Sequence, residues 1–136
     1  MKIIICLDVN NGLSFNGRRQ SRDRAVIAMI ASIVDGQCVR MHPTSEALFS
    51  GTCVNIRSSE DYLCTAQEND WCFVETEDVL QFLDVIQHVI VFRWNRKYPN
   101  DVCLPQDWLK AGFTKMNIAD FEGYSHPKIT MEVYSR

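Results

Sequence analysis

Residues 2–9 read KIIICLDV, an apolar run with no polar alternation. Successive side chains of a strand point to opposite faces, so such a run suits a strand buried on both. That places it at the centre of a mixed or parallel sheet. The loop it feeds, residues 10–24, reads NNGLSFNGRRQSRDR and leaves the carboxyl end of that strand. Open α/β sheets place their ligands there. Asn10-Asn11-Gly12 and Asn16-Gly17 are turn signals, and the apolar Leu13 and Phe15 between them predict a loop folded back onto the body.

The chain then alternates. Asp23 can cap a helix running to about Val34, with Ala25, Val26, Ala28, Met29, Ile30, Ile33 and Val34 on a wide apolar face. Gly36 is placed to end it. Residues 38–41 read as a short strand. Pro43 sits just inside a short helix that starts near His42 or Thr44 and ends at Ser50-Gly51. Residues 52–56 predict a third strand. A short helical piece begins at Ser58 and closes at Asn69-Asp70, and residues 71–74 form a fourth strand. Residues 77–86 carry Val79, Leu80, Phe82, Leu83 and Ile86 at helical spacing, and residues 88–92 are a fifth strand. This order argues an α/β fold, a largely parallel sheet with helices on both faces in three α/β/α layers. The tail differs. Residues 95–105 are polar and loop-like, and residues 113–118 and 129–134 suit an antiparallel hairpin added to the sheet. No repeat or linker divides residues 1–136, which read as one domain.

Hydrophobic residues at 46% and charged residues at 23% supply a core and exclude disorder. A net charge of -3 excludes a general nucleic-acid footprint. Six cysteines, Cys6, Cys38, Cys53, Cys64, Cys72 and Cys103, contain no C-x-x-C pair, which argues against structural zinc. Cys6, Cys53 and Cys72 lie in apolar strand-like runs, where a free thiol packs as a small hydrophobe. The three histidines, His42, His88 and His126, have no matching acidic spacing, so no metal site is expected. The first apolar stretch is too short for a signal peptide and no stretch approaches a membrane span. The reading is a reduced, cytoplasmic protein.

Several strings, in order, resemble dihydrofolate reductase. Residues 2–17 are similar to that family's first strand and mobile active-site loop. Residues 73–92 (FVETEDVLQFLDVIQHVIVF) are similar to its cofactor strand, helix and following strand. Residues 101–105 (DVCLP) resemble its Asp-Thr-x-Phe-Pro, and residues 119–136 its closing segment. The resemblance implies a mixed, mainly parallel sheet with an antiparallel C-terminal strand, in a small bacterial-type protein.

It also shows where the chain departs from the family. Leu-Pro-Trp after the second loop glycine is replaced by Arg18-Arg19-Gln20. Asp23 is the one carboxylate that can stand for the family's pterin-binding, proton-donating acid. The Gly-Gly pair at the dinucleotide falls within Glu75-Thr76-Glu77-Asp78, the Gly-Arg-x-Thr phosphate string becomes Met41-His42-Pro43-Thr44, and Phe92 replaces a threonine. Carboxylates at a helix N-terminus satisfy it themselves and repel a pyrophosphate. They cancel the roughly 0.3–1 kcal/mol the helix offers an anion. No cofactor is expected, and a non-reductase is preferred to an NADPH-dependent reductase.

The densest candidate ligand site is Asn16, Gly17, Arg18, Arg19, Gln20 and Arg22. Arginine forks onto carboxylate and phosphate, so this loop points to an anionic small molecule or a nucleotide. The same arginines also fit a solvated loop that pairs with Asp8, Asp23 and residues 75–78. A second basic stretch, RWNRKY at residues 93–98, interleaves cations with aromatics as single-strand nucleic-acid grooves do. Its alternative is a strand end with Trp94 and Tyr98 packed under the long loop. The candidate catalytic residues are Asp23, as the acid the resemblance implies, and separately His126 in the last turn, as a general base or phosphate ligand or else an exposed turn histidine. A protein-interaction module and a nuclease are the other functional alternatives. The His-x-His-x-Asp-His string of metal-dependent ribonucleases is absent.

Overall fold

The apolar run near the start forms the middle strand of a seven-stranded sheet. In the computed structural model, which describes residues 1–110 and 112–136, the chain runs β1 (Lys2–Leu7), β2 (Gly12–Phe15), β3 (Arg18–Arg19), helix α1 (Arg24–Val34), β4 (Cys38–Met41), β5 (Asn55–Ser58), β6 (Trp71–Val74), β7 (His88–Arg93), β8 (Val102–Cys103), β9 (Thr114–Phe121) and β10 (Ile129–Ser135). Two 3₁₀ segments, Pro43–Phe49 and Leu80–Val85, complete it. The main sheet has the order β5-β4-β6-β1-β7-β10-β9. β1 pairs in parallel with β6 and β7, and β10 lies antiparallel between β7 and β9. A second small sheet, β3-β2-β8, is built from the loop after β1 and the segment after β7.

The period of two explains the layers. Ile3, Ile5 and Leu7 share one face with Cys72, Val74, Val89 and Val91, under Tyr62, Leu104, Trp108 and Phe113. Ile4, Phe73, Ile90 and Phe92 point the other way, onto Val26, Ile27, Ile30 and Val34 of α1 and onto Phe49. Each fully buried side chain contributes about 1.5–3 kcal/mol. Asp23 caps α1, accepting from the Ala25 N–H at 2.8 Å. At the other end Asp35 takes the left-handed position at φ 45°, one residue before the expected Gly36.

Several local expectations are corrected. The loop after β1 is a hairpin whose tip, Asn16 at φ 52° and Gly17 at φ 69°, has the two positive φ values of a type I′ turn. Residues 95–105 contain β8, which pairs with β2. The third strand lies at Asn55–Ser58, because the Thr52 hydroxyl folds back onto the Phe49 carbonyl at 2.7 Å. Residues 60–64 form turns around a buried Tyr62 rather than a helix. The helix expected over residues 77–86 shrinks to the 3₁₀ segment Leu80–Val85, with Val79 and Ile86 fully buried at its two ends. Cys53 is exposed rather than packed.

Cysteine chemistry tests this arrangement. Burial pushes the Cys72 thiol up to about 12, while Cys53, Cys64 and Cys103 are exposed. A disulfide reagent at mildly alkaline pH is expected to label those three quickly in the native protein and Cys72 only after unfolding. Labelling of Cys72 as fast as the exposed thiols refutes its interior position.

Candidate functional site

Asp23 does more than cap α1. Its Oδ1 also accepts the Tyr124 N–H at 2.8 Å, and its Oδ2 accepts the Ser125 N–H at 2.9 Å and the Ser125 hydroxyl at 3.2 Å. His126 Nδ1 lies 2.8 Å from the same Oδ2. Burial alone would raise this carboxyl; the His126 hydrogen bond and the backbone donors outweigh it and hold the group well below the usual carboxylate range. Gly123 permits the approach, since a Cβ there would fall 2.7 Å from Asp23 Oδ2.

With Asp23 ionised, His126 Nδ1 carries the proton and donates it. Nε2 then faces the Tyr98 hydroxyl at 2.7 Å and the Ser21 hydroxyl at 3.2 Å. Trp94 stacks on the imidazole, with ring centroids 4.6 Å apart. The cluster joins the end of the hairpin, the cap of α1, the end of β7, the long loop and the β9–β10 connection. His126 is therefore not an exposed turn residue, being only 3% exposed. Ser21, His126 and Asp23 are in triad order, but the nearer Tyr98 hydroxyl competes for the one lone pair of Nε2. Asp23 has its side chain fully enclosed, although the residue borders the cleft between α1 and Pro43–Phe49.

The structure separates the arginines that stand together in sequence. Asn16 and Gly17 form the exposed hairpin tip. Arg18 is exposed beside it. Arg19 turns inward, its Nε 2.8 Å from Glu75 Oε2 and its terminal nitrogen donating to the Thr44 carbonyl at 2.7 Å. Gln20 donates to Asp8 Oδ2 at 3.1 Å. Arg22 and Arg24 flank the Asp23 cap and reach a different place, a cleft of about 590 Å³.

That cleft lies between α1 and the segment Pro43–Phe49. Ile27, Ala28, Ala47 and Leu48 form its apolar wall. Ser50, Thr52 and Ser125 contribute hydroxyls, and Tyr124 with Arg22 and Arg24 stands at its mouth. The Arg24 guanidinium lies 4.9 Å from the Tyr124 ring centroid. Residue order missed Tyr124, Leu48, Ser50 and Thr52; the one available signal was an aromatic residue inside a turn-rich connection.

At the carboxyl end of β6 the acids are occupied. Glu75 also accepts the Ser45 hydroxyl at 2.7 Å. Glu77 accepts from the Tyr62 and Thr76 hydroxyls. Asp78 caps the Leu80 N–H at 2.9 Å. Burial first, then the charges of Glu75 and Asp23, push the Cys6 thiol up, away from a nucleophilic thiolate. Among the described residues no group of three or more His, Cys, Asp and Glu side chains is placed to hold a metal ion.

No protein-family model matches the sequence, and no curated protein matches it. Among solved structures, the chain is similar to dihydrofolate reductase from Enterococcus faecalis, complexed with NADP(H) and RAB-propyl. The TM-score is 0.65 at 10% identity, over 99% of this chain and 95% of that one. The fold is dihydrofolate reductase-like. Within it, the dihydrofolate reductase-like chain carries Arg18-Arg19-Gln20 in its first hairpin and Glu75–Asp78 after β6.

The Asp23 cluster predicts an acid-sensitive fold. Its depressed carboxyl, and that of Glu132 beside Arg93, which also sits below its ordinary value, contribute stability that is complete above the unfolded-state value of about 4 and is lost as pH falls below it. Asp23→Ala removes the cap and leaves buried donors unpaired, an expected loss of about 3 kcal/mol in denaturant unfolding. Asp23→Asn should lose less and show a shallower decline of melting temperature in acid. An unchanged acid profile in Asp23→Asn would falsify this account.

Proposed function

We propose that the protein binds a small anionic molecule in the cleft between α1 and Pro43–Phe49, and that it is not a reductase. The observation that carries the reading is the pairing of its cations. Arg19, Arg40 and Arg93 each hold a carboxylate at 2.7–3.0 Å. Arg22 and Arg24, at the mouth of the cleft, hold none among the described residues. Two free guanidinia over an apolar wall suit a ligand with one anionic group and an apolar or aromatic body, a nucleotide included. A charge-assisted hydrogen bond contributes about 1.5–3 kcal/mol when shielded, and close to nothing when solvated.

The reductase alternative needs an acid open to substrate and a neutral approach for a dinucleotide. Asp23 is enclosed by its five donors, and at the carboxyl end of β6 the Arg19–Glu75 pair bridges the approach beside Glu77 and Asp78, with which no cation pairs among the described residues. Both weigh against it. Six free cysteines fit a reducing compartment, and we place the protein in the cytoplasm. No helix of the described residues is long and apolar enough to cross a membrane.

The test uses anilinonaphthalene sulfonate, a fluorescent aromatic anion. We expect saturable binding at one site per chain, weakened about tenfold or more in an Arg22→Ala/Arg24→Ala variant, which corresponds to a loss of about 1.4 kcal/mol or more. Arg18→Ala should bind like the parent. Equal weakening by Arg18→Ala, or no saturable binding, overturns the cleft. Saturable micromolar quenching of tryptophan emission by NADPH overturns the non-reductase reading.

A further inference from the structure

The two edges of the main sheet are built differently. β5 is four residues long and carries Arg57. A second copy aligned there would bring Arg57 against Arg57, so this edge protects itself. β9 is eight residues long, and its residues are exposed on both faces except for Phe121 at its end. β10 pairs with one side of it, and among the described residues no strand pairs with the other. It contains no proline, and Met116 and Ile118 are 64% and 56% exposed. A long edge of this kind presents backbone donors and acceptors to another strand; the Ile118 N–H meanwhile donates to the exposed Asn117 Oδ1 at 2.9 Å, a local bond that a partner carbonyl would replace.

The side chains indicate which strand. β9 is bulged: Val133 opposes Asn117 and Tyr134 opposes Lys115, so Met116 is an extra residue. Ile118 opposes Glu132 and Asp120 opposes Thr130. The bulge thus sets Lys115, Ile118 and Asp120 on one face, that of Tyr134, Glu132 and Thr130. The contact of Lys115 Nζ with Glu132 Oε2, at 3.3 Å, agrees. Along this face the order is positive, apolar, negative. Turned antiparallel about Ile118, the same order is its own complement. Ile118 meets Ile118, Lys115 meets Asp120, and Asp120 meets Lys115. The opposite face offers Thr114, Asn117, Ala119 and, at its end, the half-buried Phe121, none of them charged.

We propose that β9 pairs antiparallel with β9 of a second copy, giving an isologous dimer with one sheet continuous across both chains. Cross-strand pairs of opposite charge favour this register, and a shift that sets like charges opposite disfavours the alternatives. Asp120 has room to answer a partner lysine. Its Oδ1 accepts the Thr130 hydroxyl at 2.6 Å, which leaves Oδ2, where its own Lys128 lies only at the 4.0 Å limit of contact; the side chain is 55% exposed.

Sedimentation equilibrium over about a hundred-fold range of concentration tests the pairing. The parent should move from monomer to dimer mass, and Ile118→Lys, which sets two lysines face to face, should weaken association at least tenfold. Lys115→Glu and Asp120→Lys should each weaken it, and the double exchange should restore it. Circular dichroism and melting temperature of each variant separate lost pairing from lost fold, and Asp120→Lys alone keeps the test valid if Lys115→Glu unfolds beside Glu132. A parent that stays monomeric throughout overturns the proposal and leaves the edge to an extended segment of a different protein. A dimer insensitive to Ile118→Lys, or a folded double exchange that fails to restore association, also overturns it.

Discussion

The hydrogen bond between Asp23 and His126 joins residues 103 apart in sequence, and the loop end of the molecule is organised around it. Enclosing a carboxylate costs several kcal/mol unless its lone pairs are met. Here they are met by three backbone N–H groups, a hydroxyl and an imidazole. The imidazole is fixed in turn by Trp94 above it and by the Tyr98 and Ser21 hydroxyls at its far nitrogen. No one of these segments has a hydrophobic core of its own. Their geometry is shared through one anion. Tyr124 and Ser125, whose N–H groups bind Asp23, also form the rim of the cleft, so the shape of the candidate site follows from the same bond.

What residue order revealed and what it hid divide along the range of the interaction. The central position of β1 was legible because an apolar run with no alternation has few other uses. Capping of α1 by Asp23 was legible because the acceptor and its Ala25 donor are two residues apart. The antiparallel end of the sheet was legible from two strand-like runs separated by turns. The partner of Asp23 was not, because nothing local marks His126 as buried. The 3₁₀ segment Leu80–Val85 read as a helix because spacings of three and four residues serve both over a short stretch. β8, at two residues, is below any periodicity.

The arginine loop shows the same limit more sharply. Arg18 and Arg19 are adjacent in sequence but lie on a strand, so their side chains leave opposite faces. Arg22 and Arg24 lie beyond the hairpin, around the helix cap. A cluster counted along the chain is therefore three separate environments in space: one exposed, one paired, one over a cleft. The basic stretch at residues 93–98 divides likewise. Arg93 pairs with Glu132 at 3.0 Å, Trp94 is buried on His126, and Arg96 lies over Tyr98.

That division bears on function through Arg19, the arginine of the loop that holds a carboxylate. Arg19 and Glu75 meet at 2.8 Å with the Arg19 side chain 31% exposed, so solvent screening keeps their contribution to stability near or below ~1 kcal/mol. Their contribution to shape is larger. The pair links the hairpin to the end of β6, and the same guanidinium reaches the Thr44 carbonyl while Ser45 binds the other oxygen of Glu75. A ligand approaching over the carboxyl end of β6 meets an anion already neutralised and a gap already bridged. The far side of the Pro43–Phe49 segment has no such bridge. There no carboxylate among the described residues pairs with Arg22 or Arg24, and the exposed Ala28 and Ala47 and the half-buried Leu48 line the cleft. In the proposed reading, one modest ion pair closes one approach and the unpaired cations leave the other as the open one.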